Sequence, residues 1–464
     1  MSSTRLTGAL AKLAAKLAAD FGSDSVSLCP DTLRAFAADE SHGLPSLPGL
    51  VFWASSTAHI ERALSLCSAL EIPVTPSGAR TGKSGGAIPT HGGLALSLER
   101  MNRILDLSPG DMVAVCEPGV ITADLIRAAQ SRSLFYPPDP ASLEECTLGG
   151  NVAENAGGPR AFKYGVTGDY VLGLEVVLMS GERLRTGHRS IKGVAGYDLT
   201  SLFVGSEGTL GVVSEITLKL LPLPREVATA LFAFPSVAHA ARAVSAILDS
   251  GFLPRTLELL DDTAIRAVNG PGVDLPPNTG AALILELDGD ERQSLQNGLT
   301  RLARTCELHG LCESRIATDE GDRQRLWQAR QRVARALKEL KPLKFSEDIA
   351  VPRSRIEQAI ERVKALGAQC DLLTATYGHA GDGNLHVNFL YDREEQIPRV
   401  ERAVEGLMDI ALELCGTITG EHGVGVTKKR FLPKEIGDQS LHLHRQLKKI
   451  FDPKGLLNPA KIFE

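Results

Sequence analysis

The chain has 464 residues, 43% of them hydrophobic and 23% charged, with a formal net charge of −6. That length predicts roughly 2 to 4 domains of about 100–200 residues, and scattered Lys and Arg with only 5% aromatic residues argue against a nucleic-acid binder. No apolar run approaches the ~18 to 20 residues of a membrane span, and the eight cysteines form no C-x-x-C pair, which fits reduced thiols in a reducing compartment rather than an iron–sulfur or cysteine–zinc site.

The first predicted element is a helix in RLTGALAKLAAKLAADFG, with Leu6, Leu10, Leu13 and Leu17 at helical spacing and no acid before Asp20. Such a helix can target an organelle or lie on a membrane, but an amphipathic helix packed on its own domain is the commoner outcome. Short strand patterns follow, in MVAVCEPG, LGLEVVLMSGE and GTLGVVSEITLKLLP, so residues 1–222 read as an α+β domain rich in strands. Two glycine clusters interrupt it. The first, PVTPSGARTGKSGGAIPTHGG, resembles a P-loop only superficially: Ser77 stands where G-x-x-x-x-G-K-[ST] needs glycine, and Gly85, Gly86 and Pro89 oppose the helix that must follow. No G-x-G-x-x-G occurs there either. What remains is a loop whose successive amides can cradle a phosphate, or glycines that merely serve tight turns. The second cluster, YPPDPASLEECTLGGNVAENAGGPRAFKYG, favours a long ligand with a diphosphate and another polar end.

The proline-punctuated LPLPRE marks a boundary. Beyond it, helical patterns (SVAHAARAVSAILDSG, GDRQRLWQARQRVARALKELK, RSRIEQAIERVKALG, RVERAVEGLMDIALELCG) alternate with strand patterns (GAALILELDG, DLLTATYGH, NLHVNFLYD). The reading is an α+β domain over 223–415 with helices on one face of a sheet, then a closing segment over 416–464. In YGHAGDGNLHVNF the AGDG reads as a hairpin turn, which lets His379 and His386 converge; His386 and Asn388 share one strand face. GTITGEHGVGVTKKR adds Glu421 and His422 in a glycine-flanked turn. Two imidazoles and a carboxylate suit a divalent metal such as zinc, manganese or iron. Arg330, three residues after Trp327, reads by itself as part of a solvated helix face.

The two glycine clusters, with GLEVVLMSGE, GYDLTSLFVGSEGTLGVVSEITLKLLP and LNPAKIF, resemble the FAD-binding domain of the vanillyl-alcohol-oxidase type. Together with the histidine motifs, the likeness is strongest to FAD-linked D-2-hydroxyacid dehydrogenases, including D-lactate and D-2-hydroxyglutarate dehydrogenases and the glycolate oxidase flavin subunit. The resemblance implies a two-part FAD-binding domain (1–222), a substrate-binding cap with an antiparallel sheet (223–415) and a helical C-terminal segment returning to the FAD domain (416–464). It implies that Pro76, Ser77, Gly78, Ala79, Arg80, Thr81, Gly82, Gly86 and Ala87 cradle the FAD pyrophosphate. Pro138, Asp139, Ser142, Thr147, Gly149, Gly150, Asn151, Asn155, Gly157, Tyr164 and Gly165 would line the flavin and ribityl chain, with Glu207, Gly208 and Val213 near the adenosine and Asn458 reaching back from the tail. Covalent relatives carry histidine where Ser84 stands, so non-covalent FAD is expected, with His91 the one nearby histidine.

The same resemblance makes His379, His386 and Glu421 the ligands of a divalent metal, zinc or manganese. It puts Asn388 and His422 at the substrate, Arg330 on its carboxylate through W-x-x-R, and Lys344 at a matching lysine. Ala334 replaces a threonine of the 2-hydroxyglutarate enzymes. The implied reaction is oxidation of a D-2-hydroxy acid, with electrons leaving to a quinone, cytochrome, electron-transferring flavoprotein or iron–sulfur subunit. The expected location is the cytoplasm or, peripherally, the inner membrane, and the mitochondrion in a eukaryote, with a homodimer left open. Two other classes are alternatives: a metal-dependent hydrolase of a phosphorylated substrate, and a non-catalytic flavin-binding subunit of an oxidase complex.

Overall fold

The computed structural model describes residues 3–269, 275–276 and 278–463. They form two compact units, Met1–Gly157 with Val166–Leu223 and Glu421–Glu464, and Gly158–Gly165 with Pro224–Gly420.

In the first unit, helix Ser3–Phe21 packs as an ordinary amphipathic helix: Leu10, Leu13, Ala14 and Leu17 enter a core with Leu50, Phe52, Leu64 and Leu94. The side chain of Leu6 lies outside the described residues. A four-stranded sheet runs Val26–Ser27, Leu50–Trp53, Leu94–Ser97, Val74–Ser77, the last three parallel. Helix Thr57–Leu70 makes the crossover between Leu50–Trp53 and Val74–Ser77, the parallel strands on either side of Leu94–Ser97. The first glycine loop leaves from the carboxyl end of Val74–Ser77, where open α/β sheets bind ligands. The tail extends this edge: Asn458 donates its amide to the Val74 carbonyl at 2.7 Å. A separate five-stranded antiparallel sheet runs Ile104–Ser108, Val113–Cys116, Val212–Lys219, Val171–Val177, Arg183–Gly187.

The second unit is built on a seven-stranded antiparallel sheet, in the order Glu313–Ile316, Glu226–Phe234, Ala281–Gly289, Thr256–Asp261, Leu373–His379, Asn384–Tyr391, Leu343–Ala350. The expectation of helices on one face is corrected: both faces are covered. Leu231, Leu260, Ile284, Ala375 and Tyr377 meet helices Asp262–Val268 and Glu320–Leu340. Helices Val237–Asp249, Arg292–Glu307 and Ile356–Gln369 pack against the opposite face, where Leu287 and Thr374 point. The physical reason is visible in GAALILELDG, where seven consecutive buried positions leave no polar face for water.

Two segment boundaries also differ from the sequence reading. Residues 416–420 stay with the second unit, because Thr417 pairs with Ala350 and the Gly420 amide donates to Asp348 Oδ2 at 2.6 Å. Gly158–Gly165 joins it too, held by Lys163 and the Tyr164 hydroxyl on buried Asp288. Among the described residues, no helix is long and apolar enough to cross a membrane.

Candidate active site

The two glycine clusters converge within the first unit. A Cβ on Gly78 would collide with Thr147 Oγ1, and one on Gly149 would stand 2.6 Å from Pro118 Cβ, so glycine is needed where these backbones approach. Arg80 has a left-handed backbone (φ 61°) and folds its guanidinium back onto Ser77, the Gly78 carbonyl and Glu99. None of the backbone N–H groups from Gly78 to Gly82 donates to an acceptor among the described residues. Asn458 donates to the carbonyls of Gly86 (3.0 Å) and Glu207 (2.7 Å), while its Oδ1 is buried without a partner. Several expected flavin contacts have side chains occupied by the protein itself: Asn151 Nδ2 donates to Thr122, and Asn155 Oδ1 accepts the Gly168 amide. Val213 sits in register with Val176 inside the antiparallel sheet. Tyr164 and Gly165 belong to the second unit, with the Tyr164 hydroxyl on Asp288 at 2.6 Å.

In the second unit, the hairpin Leu373–His379 and Asn384–Tyr391 pairs Tyr377 with His386 and His379 with Asn384. This register sets His379 and His386 on one face, ring centroids 5.3 Å apart and nearly perpendicular. His379 Nδ1 lies 2.5 Å from Glu258 Oε1, and Arg330 Nε donates to Glu258 Oε2 at 2.6 Å. The Arg330 guanidinium also sits 4.7 Å over the Tyr377 ring. Burial alone would raise the Glu258 carboxyl, but the charges of His379 and Arg330 hold it down at about 2.

Asp348 lies opposite His386 in register and accepts from Thr419 Oγ1 (3.1 Å) and the Gly420 amide. That fixes the chain end to which Glu421 is peptide-bonded, and one ligand atom each from His379, His386 and Glu421 lies within 4.8 Å of the others. Glu421 Oε2 also lies 3.1 Å from where a Cβ on Gly157 would stand, which brings an expected flavin-lining glycine beside an expected metal ligand. His422 follows, half-buried, before Gly423 at φ 87°.

Asn388 is fully buried, its Nδ2 donates to the carbonyls of Ala375 and His386, and its Oδ1 accepts from Ser346 at 2.5 Å. Its amide links the hairpin to the next strand. Lys344 Nζ donates to the Ala334 carbonyl at 3.2 Å, on the helix that carries Arg330.

Residues 48–187 match the family model described as an FAD binding domain, and residues 223–462, over half of the chain, match that of the FAD linked oxidases, C-terminal domain. The chain belongs to the FAD-linked oxidases. The glycolate oxidase subunit GlcD of Bacillus subtilis is 41% identical over 431 residues, 92% of each chain. The D-lactate dehydrogenase of Anaerostipes hadrus is 34% identical over 89% of each chain, and the D-2-hydroxyglutarate dehydrogenase of Stutzerimonas stutzeri 30% identical over 93% of this chain and 95% of its own. A solved structure of p-cresol methylhydroxylase with substrate bound superposes with a TM-score of 0.81 at 16% identity, covering 98% of this chain and 97% of that one. The fold is thus the two-domain FAD-binding fold of the vanillyl-alcohol-oxidase type, and the protein is an FAD-dependent oxidoreductase.

The residues of this FAD-linked oxidase fit the flavin cofactor. The half-buried amides of Gly78–Gly82 lack protein acceptors among the described residues and can take a pyrophosphate, and the orphaned Asn458 Oδ1 can accept from a hydroxyl or ring N–H of the cofactor. The donor set His379, His386 and Glu421 fits a divalent metal. Since Glu258 occupies Nδ1 of His379, the Nε2 atom would meet the ion.

Glu258 and Asp348 escaped the sequence reading of this machinery. An acid in the middle of the strand TLELLD, buried throughout, was the available signal, since such a carboxylate demands partners.

Glu207, a residue expected near the adenosine, holds the tail: its carboxylate accepts the Val424 and Gly425 amides, both at 2.7 Å. Burial pushes this carboxyl up to about 7, against those two donors. A folded-state value raised from 4.5 means that the folded chain binds the proton more tightly than the unfolded chain does. The resulting stabilisation is full below about pH 4.5 and is lost as pH rises through 7. Relative to Glu207→Gln, the wild type should therefore lose stability between pH 5 and 8. Parallel pH-dependent thermal melts of the two proteins check this; parallel curves would refute it.

Proposed function

We propose that the protein oxidises a D-2-hydroxy acid to the 2-oxo acid, with D-lactate the first candidate and glycolate or D-2-hydroxyglutarate the others, and passes the electrons to an external acceptor. The observation that carries this reading is the gathering of His379, His386 and Glu421, with Arg330 fixed on the same second-unit face, in a chain of the FAD-linked oxidases. Relatives named for glycolate, D-lactate and D-2-hydroxyglutarate support the substrate class.

Arg330 spends its Nε on Glu258, which leaves the Nη edge to grip the substrate C1 carboxylate in a bidentate pair. His379, His386 and Glu421 would hold a zinc or manganese ion, whose Lewis acidity would lower the pKa of the substrate hydroxyl. His422 takes the hydroxyl proton as general base, a task suited to an imidazole near neutral pH. Bound FAD supplies the two-electron acceptor for the hydride from C2. Non-covalent attachment is supported at Ser84, whose hydroxyl donates to Glu154 at 2.9 Å, and at His91, which is exposed beside Thr90. Ala334 offers only a carbonyl, already taken by Lys344, which favours a small substrate over one with a distal carboxylate.

The acceptor would be a quinone, a cytochrome, an electron-transferring flavoprotein or an iron–sulfur subunit; the word subunit in the names of relatives supports a partner chain. The proposed location is the cytoplasm or, peripherally, the inner membrane, and the mitochondrion in a eukaryote, as in the names of two relatives. A panel of D- and L-hydroxy acids with an artificial electron acceptor, run before and after EDTA, tests the reading. Reduction of the acceptor by D-lactate, abolished by EDTA and restored by zinc or manganese, is expected. Equal turnover of L-acids, or indifference to EDTA, would contradict it.

A further inference from the structure

Glu258 is fully buried on a strand with no exposed residue, yet its two oxygens serve two different elements. Oε1 meets His379 Nδ1 of the neighbouring strand, directly opposite in register, and Oε2 accepts from Arg330 Nε of the covering helix. The Arg330 guanidinium is clamped from its other side by the Tyr377 ring, and Tyr377 is the register partner of His386. A carboxylate that only neutralised a buried cation would need one partner; this one restrains a ligand imidazole and an anchoring guanidinium at the same time.

We propose that Glu258 is a shared positioning residue, which orients His379 for the metal and Arg330 for the substrate carboxylate, so that metal affinity and substrate affinity depend on one anchor. The inference rests on the metal and carboxylate roles given above. Its physical basis is the geometry of the acceptor. An imidazole held through Nδ1 presents Nε2 in a fixed direction, and outer partners of this kind are worth about 10–100-fold in metal affinity. A guanidinium held through Nε presents its two Nη groups as a preorganised fork. Glutamine cannot replace glutamate here, because its one carbonyl oxygen serves one donor and its NH₂ group confronts the other.

The test measures Mn²⁺ binding by electron paramagnetic resonance, and oxalate binding by calorimetry at saturating Mn²⁺, on the flavin-loaded wild type and Glu258→Gln. Mn²⁺ affinity should fall about 10–100-fold in the variant and oxalate affinity should fall with it, at unchanged flavin content and with a cooperative thermal transition retained. Should Glu258→Gln not be recovered folded, Arg330→Met serves. Although Arg330 is not a metal ligand, its loss frees one side of Glu258 and should weaken Mn²⁺ about 2–30-fold through that shared restraint. A folded Glu258→Gln whose Mn²⁺ affinity is within twofold of wild type overturns the proposal, as does an Arg330→Met protein with unchanged affinity if only that variant folds. A wild type that takes up neither Mn²⁺ nor Zn²⁺ removes the metal reading itself and this inference with it, which separates the two failures.

Discussion

Replacing His422 by alanine lowers turnover of the hydroxy acid by about 10²–10⁴-fold, the usual loss for a missing general base. His422 follows Glu421, and two residues further on the Val424 and Gly425 amides are fixed by Glu207, so the imidazole is delivered by a segment held at its far end. Removing the ring leaves those restraints in place. Flavin content, metal content and KM should therefore stay near wild type while kcat falls, the pattern of an interaction made only in the transition state. Stopped-flow flavin reduction isolates the step. Reduction within about tenfold of wild type would remove His422 from the role of base.

Replacing His386 by alanine should abolish stoichiometric metal and lower turnover by more than about 10²-fold, since loss of an outer partner alone costs 10–100-fold. EDTA treatment of the wild type should reproduce this loss, and added zinc or manganese should restore the wild type but not the variant. The flavin spectrum should persist, because the glycine loops belong to the other unit. Elemental analysis with parallel assays checks this. A variant that keeps one equivalent of metal would show that the trio is not the site.

Much of this was legible in the sequence because it is local. The hairpin of YGHAGDGNLHVNF sets His379 and His386 on one face through strand period and turn chemistry, both readable within thirteen residues. The glycine loops were legible through the one conformational freedom that glycine has. Glu258 was not, because its partner His379 lies 121 positions away and nothing short-range encodes that pairing. The partner of Asn388 was not legible either: its spacing from His386 places both on one face, but the donor to its Oδ1 is Ser346, 42 residues away. The excursion of 158–165 into the second unit is likewise decided by buried Asp288, more than a hundred positions downstream.

The central claim, a flavin reduced by a D-2-hydroxy acid on this chain, is tested most directly by mixing the purified protein anaerobically with D-lactate, glycolate and D-2-hydroxyglutarate. Flavin absorption near ~450 nm is expected, bleached by at least one of the three and returning on addition of an oxidant. A protein without flavin absorption, or a flavin that none of the three acids bleaches, would contradict it.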